Sequence, residues 1–315
     1  MEQTLYRLSA DSQPCVKGTD NYFDWFAILC HRHEFSEGLL LYWITKPLLG
    51  AAAIVSLAAA ANAQDPTPAP LTYADVVQLA DEAPLVVRAR ITDQIALKAE
   101  RAPGLAPGHA RLFIEAETLA LLSGNVPLGK ELTYLVDVPL TAKGKVPKLK
   151  KTEVLLFARS VPGKPGSLQL VGADAQQPYT AELEARLRPV LASLVAPDAP
   201  PRITRVGDAL AVEGTLVGES ETQLFLETEN DGPVSITVVR RPNQQPRWGV
   251  SWTEIVDQSA RPPQKNTVEW YRLACSLPAQ LPAEANLSRD SRSREIASRD
   301  YAFVLQQLGT CDRSL

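Results

Sequence analysis

Three observations predict a mainly β chain with peripheral helices, an α+β arrangement. Period-2 alternations of apolar and polar residues recur along it. The 25 prolines among 315 residues impose many turns and short elements, and the stretches with helical periodicity are few and flank the strand runs.

Taken in order, Thr72 is placed to cap a short helix through Ala80, with Asp75 in its first turn and Pro84 stopping it. A half-buried strand follows over 85–95, where Leu85, Val87, Ala89 and Ile91 alternate with Val86, Arg88, Arg90 and Thr92. Further β runs lie at 111–120, 131–138, 153–159 and 167–171, separated by Gly, Pro and Lys segments. A helix over 180–194 carries Pro189, which should kink or split it. This set predicts a small OB-like barrel or sandwich for residues 64–195. Ala-Pro-Asp-Ala-Pro-Pro at 196–201 reads as a stiff linker. A second β domain over 202–315 begins with strands at 202–206, 209–216, 222–227 and 234–240, the last two joined across Asn230-Asp231-Gly232. Helices are predicted from Thr267 to about Cys275 and near 294–308. The second has Ala297, Tyr301, Val304, Leu305 and Leu308 on one face and stops at Gly309.

Upstream, Lys46 followed by Leu48, Leu49, Ile54, Val55 and Leu57, then Ala61-Asn62-Ala63 before Gln64, has the cation, short apolar run and small residues of a secretory signal. Cleavage is expected between Ala63 and Gln64. Residues 1–44 are unlike any n-region, so 1–63 reads as a spurious N-terminal extension plus the signal peptide. The alternative is an N-terminal anchor over 39–61, long enough to span a bilayer. Position 64 is not cysteine, so no lipoprotein thiol stands at the cut. No membrane span is expected after cleavage, and the product should be periplasmic or secreted.

Cleavage sets aside Cys15, Cys30, His31 and His33, whose spacing fits no structural zinc finger. It leaves Cys275 and Cys311, an even pair in an exported chain, which predicts a disulfide stapling the last two helices. Closing that loop contributes roughly 3–4 kcal/mol in the chain-entropy model. The formal net charge of −4 gives no basic balance pointing to nucleic acid.

Within 73–171, the run YADVVQLADEAPLVVRARI, a strand, and then LLSGNVPLGKELTYLV resembles the netrin-like domains of secreted protease inhibitors. That resemblance implies an OB-type barrel and, as one alternative, inhibition. The N-terminal cysteine with which tissue inhibitors of metalloproteinases engage the metal is absent, so no inhibitor residues carry over. The whole chain also resembles uncharacterised exported proteins of Gram-negative bacteria, which implies no activity.

Candidate sites are few. Trp248, Trp252, Trp270 and Tyr271 form either a ring platform for sugar faces or bulky core filler. Glu254, Asp257 and Glu269 could supply a carboxylate pair for glycoside hydrolysis, although spacing alone does not support it. His109 stands in a Gly/Pro-rich loop with no evident partner, and Gly249-Val250-Ser251-Trp252 misses a nucleophile elbow at its last position. No metal or other cofactor is predicted, the calcium-loop pattern being absent around Asn230 and Asp231. Lys143, Lys145, Lys148, Lys150 and Lys151 make either an anionic-surface patch or a solvated hairpin loop. Glu213, Glu219, Glu221, Glu227 and Glu229 could face those lysines across the linker. Arg289, Arg292, Arg294 and Arg299, interleaved with Asp290, Glu295 and Asp300, read as a solvated, self-paired face. Asn286-Leu287-Ser288 matches a glycosylation acceptor.

The reading is an exported cell-envelope protein of non-catalytic binding or scaffolding type, with an envelope protein or polysaccharide as partner and no catalytic residues. The alternatives are a cell-wall or polysaccharide hydrolase, and a secreted inhibitor built on the first domain. Mass spectrometry of the native protein is expected to find an N-terminus at Gln64 and a mass lower by two hydrogens for the Cys275–Cys311 bond; free thiols on an uncleaved chain would contradict export.

Overall fold

The computed structural model describes residues 70–253 and 260–315, all within one compact unit that spans Asn62–Leu315. Ala63, Gln64, the signal and anchor segments, the early Cys/His group, Glu254 and Asp257 lie outside the described residues.

The chain is mainly β. It opens with helix α1 (Tyr73–Glu82), closed at its start by a capping box. Thr72 Oγ1 accepts from the Asp75 amide at 3.1 Å, and Asp75 Oδ2 accepts from the Thr72 amide at 2.8 Å. Strands β1 (Leu85–Ala96), β2 (His109–Ser123), β3 (Glu131–Pro139), β4 (Glu153–Ser160), β5 (Leu168–Leu170) and β6 (Gln176–Pro178) then form an antiparallel sheet in the order β3-β2-β1-β4-β5, with β6 also on β4. Helix α2 (Ala181–Leu194) follows as one piece through Pro189. The second sheet is a meander of β7 (Ile203–Glu213), β8 (Ser220–Thr228), β9 (Val234–Arg240) and β10 (Arg247–Ser251). Helices α3 (Val268–Ala274) and α4 (Ser291–Leu308) complete the chain.

The first sheet curls until β3 and β5 meet at a single parallel bridge, Thr133 to Ser167, and it does not close. The barrel expectation is corrected accordingly. The physical reason is length: β5 has three residues between turns at Gly166 (φ 77°) and Gly172, too few to follow the nine of β3. Leu85, Val87, Ala89, Ile91, Leu156 and Ala158 fill the concave side together with Leu112, Ile114, Leu132 and Val136.

The alternate residues of the same two strands serve a different core. Val86, Leu155 and Phe157 pack with α1, α2, the inner face of the second sheet, α3 and α4 in one continuous cluster. Residues of both halves therefore share that core. The segment 196–201 takes part in it, since Pro200 is buried and its carbonyl accepts from Arg272 Nε at 3.1 Å.

Two covalent or ionic ties fix the helices. The Cys275–Cys311 disulfide joins the end of α3 to the chain just past α4, with Cα atoms 5.2 Å apart, as the cysteine pairing predicts. In addition, Asp81 near the end of α1 accepts a two-pronged bond from the buried Arg272 of α3, Nη1 to Oδ2 at 2.6 Å and Nη2 to Oδ1 at 2.8 Å. Arg202, at the entry to β7, adds Nε to Oδ2 at 2.7 Å. Burial works against ionisation of Asp81, but the two guanidiniums more than offset it and hold the carboxyl below the usual carboxylate range.

A carboxyl with a lowered folded-state pKa contributes stability that is present above its unfolded pKa of about 3.9 and is lost as pH falls through the folded value. Asp81→Asn should therefore cost about 3–5 kcal/mol at neutral pH, because it leaves Arg272 buried beside a neutral amide. The variant should also lose less on acidification below about pH 4 than the parent does. Urea titrations at several pH values would check both; parallel curves for parent and variant would refute the assignment.

Candidate binding surface

The second sheet has one buried face and one open face. Val206, Ala209, Leu224, Leu226, Ile236 and Val238 point into the shared core. On the opposite face the register aligns Leu210, Gln223, Thr237 and Gly249 in one row, and Val212, Glu221, Val239 and Arg247 in the next. Leu210, Val212 and Phe225 are exposed there, with Val212 at 67%. At the β10 side this face is covered: Gly249 lies so close to the carbonyl of Ala260 that a Cβ would stand 2.1 Å from its oxygen, which only glycine tolerates. The apolar residues toward β7 have no such cover among the described residues.

The β7–β8 turn extends this surface. The Gly214 amide donates to the Glu219 carbonyl at 2.9 Å, and the Glu219 amide to Leu216 O at 3.0 Å, with Gly218 at φ 84°. The Glu219 side chain folds back over Gly214 and accepts from the Leu216 amide at 3.3 Å. These bonds fix a tip on which Leu216 is 60% and Val217 93% exposed. Beside the tip lies an open hollow of about 560 Å³ between the turn and α4, walled by Arg240, Arg241, Arg292 and Arg299 as well as Glu213 and Glu295. Arg292 is engaged by Glu213 at 2.6 Å. The root of the hairpin is anchored by the fully buried Asp300, which accepts from Thr222 Oγ1 at 2.6 Å and from Arg240 Nε. Chemically the assembly offers two adjacent apolar side chains on a rigid turn, with guanidinium donors at hand. That suits adhesion to an amphipathic surface.

The residues singled out from sequence fall elsewhere. Trp248, Trp270 and Tyr271 are buried and Trp252 packs half-buried against the same core, so three of the four rings present no stacking face. Trp270 is 3% exposed; its Nε1 donates to the Leu308 carbonyl at 2.8 Å, and its ring meets Tyr73 edge-on, with centroids 6.4 Å apart. Burial lifts the Tyr73 phenol to about 12, and Glu269 in the first turn of α3 adds to the rise.

All five lysines, Lys143, Lys145, Lys148, Lys150 and Lys151, are exposed on the β3–β4 connection. That connection is ordered: Gln94 Nε2 donates to the Pro147 carbonyl at 2.8 Å, Gln94 Oε1 accepts from the Leu149 amide, and Val146 and Leu149 rest on the core. Lys150 pairs with Asp93 at 3.2 Å. The expectation that the acids of the second half face these lysines is corrected for three of them, since Glu213, Glu227 and Glu229 pair with Arg292, Arg205 and Arg202. The solvated face around 289–300 also needs revision, because Asp290 caps α4 and Asp300 is buried. Asn286 donates to the Arg294 carbonyl at 3.0 Å. His109 is exposed and contacts the Pro107 carbonyl.

The hairpin tip escaped the sequence reading, in which the strand runs on to 216. Gly214 and Gly218 bracketing Thr-Leu-Val were the available signal. Among the described residues, no group of three or more His, Cys, Asp or Glu side chains is placed to hold a metal ion, and no helix is long and apolar enough to cross a membrane. No family model matches the chain, and no curated protein is significantly similar to it.

Proposed function

We propose that the protein is an exported, periplasmic or secreted, non-catalytic binding or scaffolding component of the cell envelope, and that it docks an envelope protein or polysaccharide on the β7–β8 tip and the adjoining open face. The observation that carries this reading is the tip itself. A turn held by its own backbone bonds and by Glu219 keeps Leu216 and Val217 in water, although burying each would contribute about 1.5–3 kcal/mol. Contiguous exposed apolar surface with a polar rim is the usual mark of an interaction site. The disulfide is consistent with an exported protein.

A double variant, Leu216→Asp with Val217→Asp, tests the reading directly. The purified full chain is expected to sediment with isolated envelope fractions or sacculi, and the variant to bind them at least about tenfold more weakly. Its thermal midpoint should match the parent's, because both side chains are exposed. Equal sedimentation of the two proteins would remove the tip from the binding surface, and release of soluble fragments from sacculi would favour the hydrolase.

A further inference from the structure

Strand edges carry unpaired backbone donors and acceptors, and this chain treats its edges unequally. On the second sheet both are covered. β7 is capped by residues 286–288, where the Leu287 amide donates to Ala209 O at 2.9 Å and Ser288 Oγ accepts from the Ala211 amide at 3.0 Å. β10 is overlaid by Ala260 and Arg261, the Val250 amide donating to Arg261 O.

The β3 edge of the first sheet is different. The Leu140 amide bonds Gly108 O and the Thr118 amide bonds Lys130 O, so the even-numbered residues of β3 face β2 and the odd-numbered ones face away. Of these, Thr133 is satisfied by the Gly166 carbonyl at 2.8 Å. Beyond it, Leu135 and Asp137 aim their N–H and C=O groups into the seam, and no strand pairs with them among the described residues. Across the seam β5 is open only beyond the Thr133–Ser167 bridge, which takes up the Leu168 amide. The Val171 amide bonds Phe157 O and the Val161 amide bonds Ser167 O, which turns the backbone of Leu168 and Leu170 toward β3.

Between the two edges the seam widens into a cleft of about 560 Å³ lined by Leu135, Val161, Leu168 and Leu170, with the Arg111–Asp137 pair at its side. Leu135 is 49% exposed.

We propose that this seam is a strand-addition site for an extended peptide segment of a partner protein. The peptide pairs its backbone with Leu135 and Asp137 and lays apolar side chains at alternate positions over the exposed Leu135. The unpaired backbone groups select an extended chain over a sugar or a lipid, because only an extended backbone repeats donor and acceptor at the spacing of a strand. Pro139 has no N–H to offer, so the paired stretch is about five residues long. The site is separate from the β7–β8 tip, and either can fail without the other.

The test uses the full chain and an array of capped heptapeptides that alternate apolar residues of every type with serine or threonine, read by amide exchange. Members of the array should protect the amides of Leu135 and Asp137, and twins N-methylated at alternate residues should not. Leu135→Pro should weaken binding about tenfold, because that N–H is not part of the β2 ladder and proline is tolerated at such an edge position. The N-methylated twins keep the test valid should that variant fold poorly. Failure of every array member to protect these amides would overturn the proposal. So would amides already protected in the free protein, whether by the chain's own N-terminal residues or by a second copy; concentration dependence separates those two cases.

Discussion

Asp81 is the point on which the two halves of the fold depend. Its carboxylate sits near the end of the first helix and takes the guanidinium of Arg272 from 191 residues further along, together with that of Arg202 at the mouth of the second sheet. Arg272 also reaches the Pro200 carbonyl, so one buried cation ties α1, the proline-rich segment and α3. Such an assembly is worth little against an apolar replacement but much against the loss of one partner. It therefore acts as a register pin: α3 cannot slide along α1 without leaving a charge buried and unpaired. The disulfide secures the other end of α3 to the chain beyond α4, and Ser314 closes the circuit by donating to the buried Asp75 of α1 at 3.1 Å.

Within that frame, the β1–β4 pair explains why a modest sheet can serve two cores. Five consecutive residues of β4, from Val154 to Ala158, are buried, and they divide alternately between the curled interior and the helical layer. A strand buried on both faces reads as a continuous apolar run, whereas β7 and β8, open on one face, alternate. The open face that carries Leu210 and Val212 is the consequence of that difference.

What was legible in the sequence follows the range of the interactions. The Thr72 cap of α1, the alternation over 85–95, the stop at Gly309 and the cysteine pair are local or compositional, and the structure places them close to where the sequence does. Two features depended on distant contacts and were not readable. β10 has a glycine at its centre and is a strand because Ala260 lies over Gly249 and β9 flanks it. Asp300 belongs to a charge-rich stretch that looks solvated, yet the packing of α4 on the second sheet carries it to Thr222 and Arg240. The runs at 202–206 and 209–216 merge into one strand because irregularities between Ile203 and Arg205 and between Val206 and Asp208 let the ladder continue through Gly207.

Burial of Asp300 bears on the exposed tip as well. Its two acceptor oxygens hold Thr222 on β8, two residues beyond Ser220 at the root of the β7–β8 turn, and Arg240 on β9, the register partner of Ser220. Shifting β8 by one residue would turn Thr222 outward and put Glu221 or Gln223 in its place, and shifting β9 to bring Val239 round would withdraw the Arg240 guanidinium, at a cost of several kcal/mol for an uncompensated buried charge. The hairpin consequently has no cheap rearrangement that would tuck Leu216 and Val217 against the sheet, and both stay exposed among the described residues. The same rigidity applies at the seam of the first sheet, where the Thr133–Ser167 bridge holds two bare edges near each other without letting three-residue β5 close the gap.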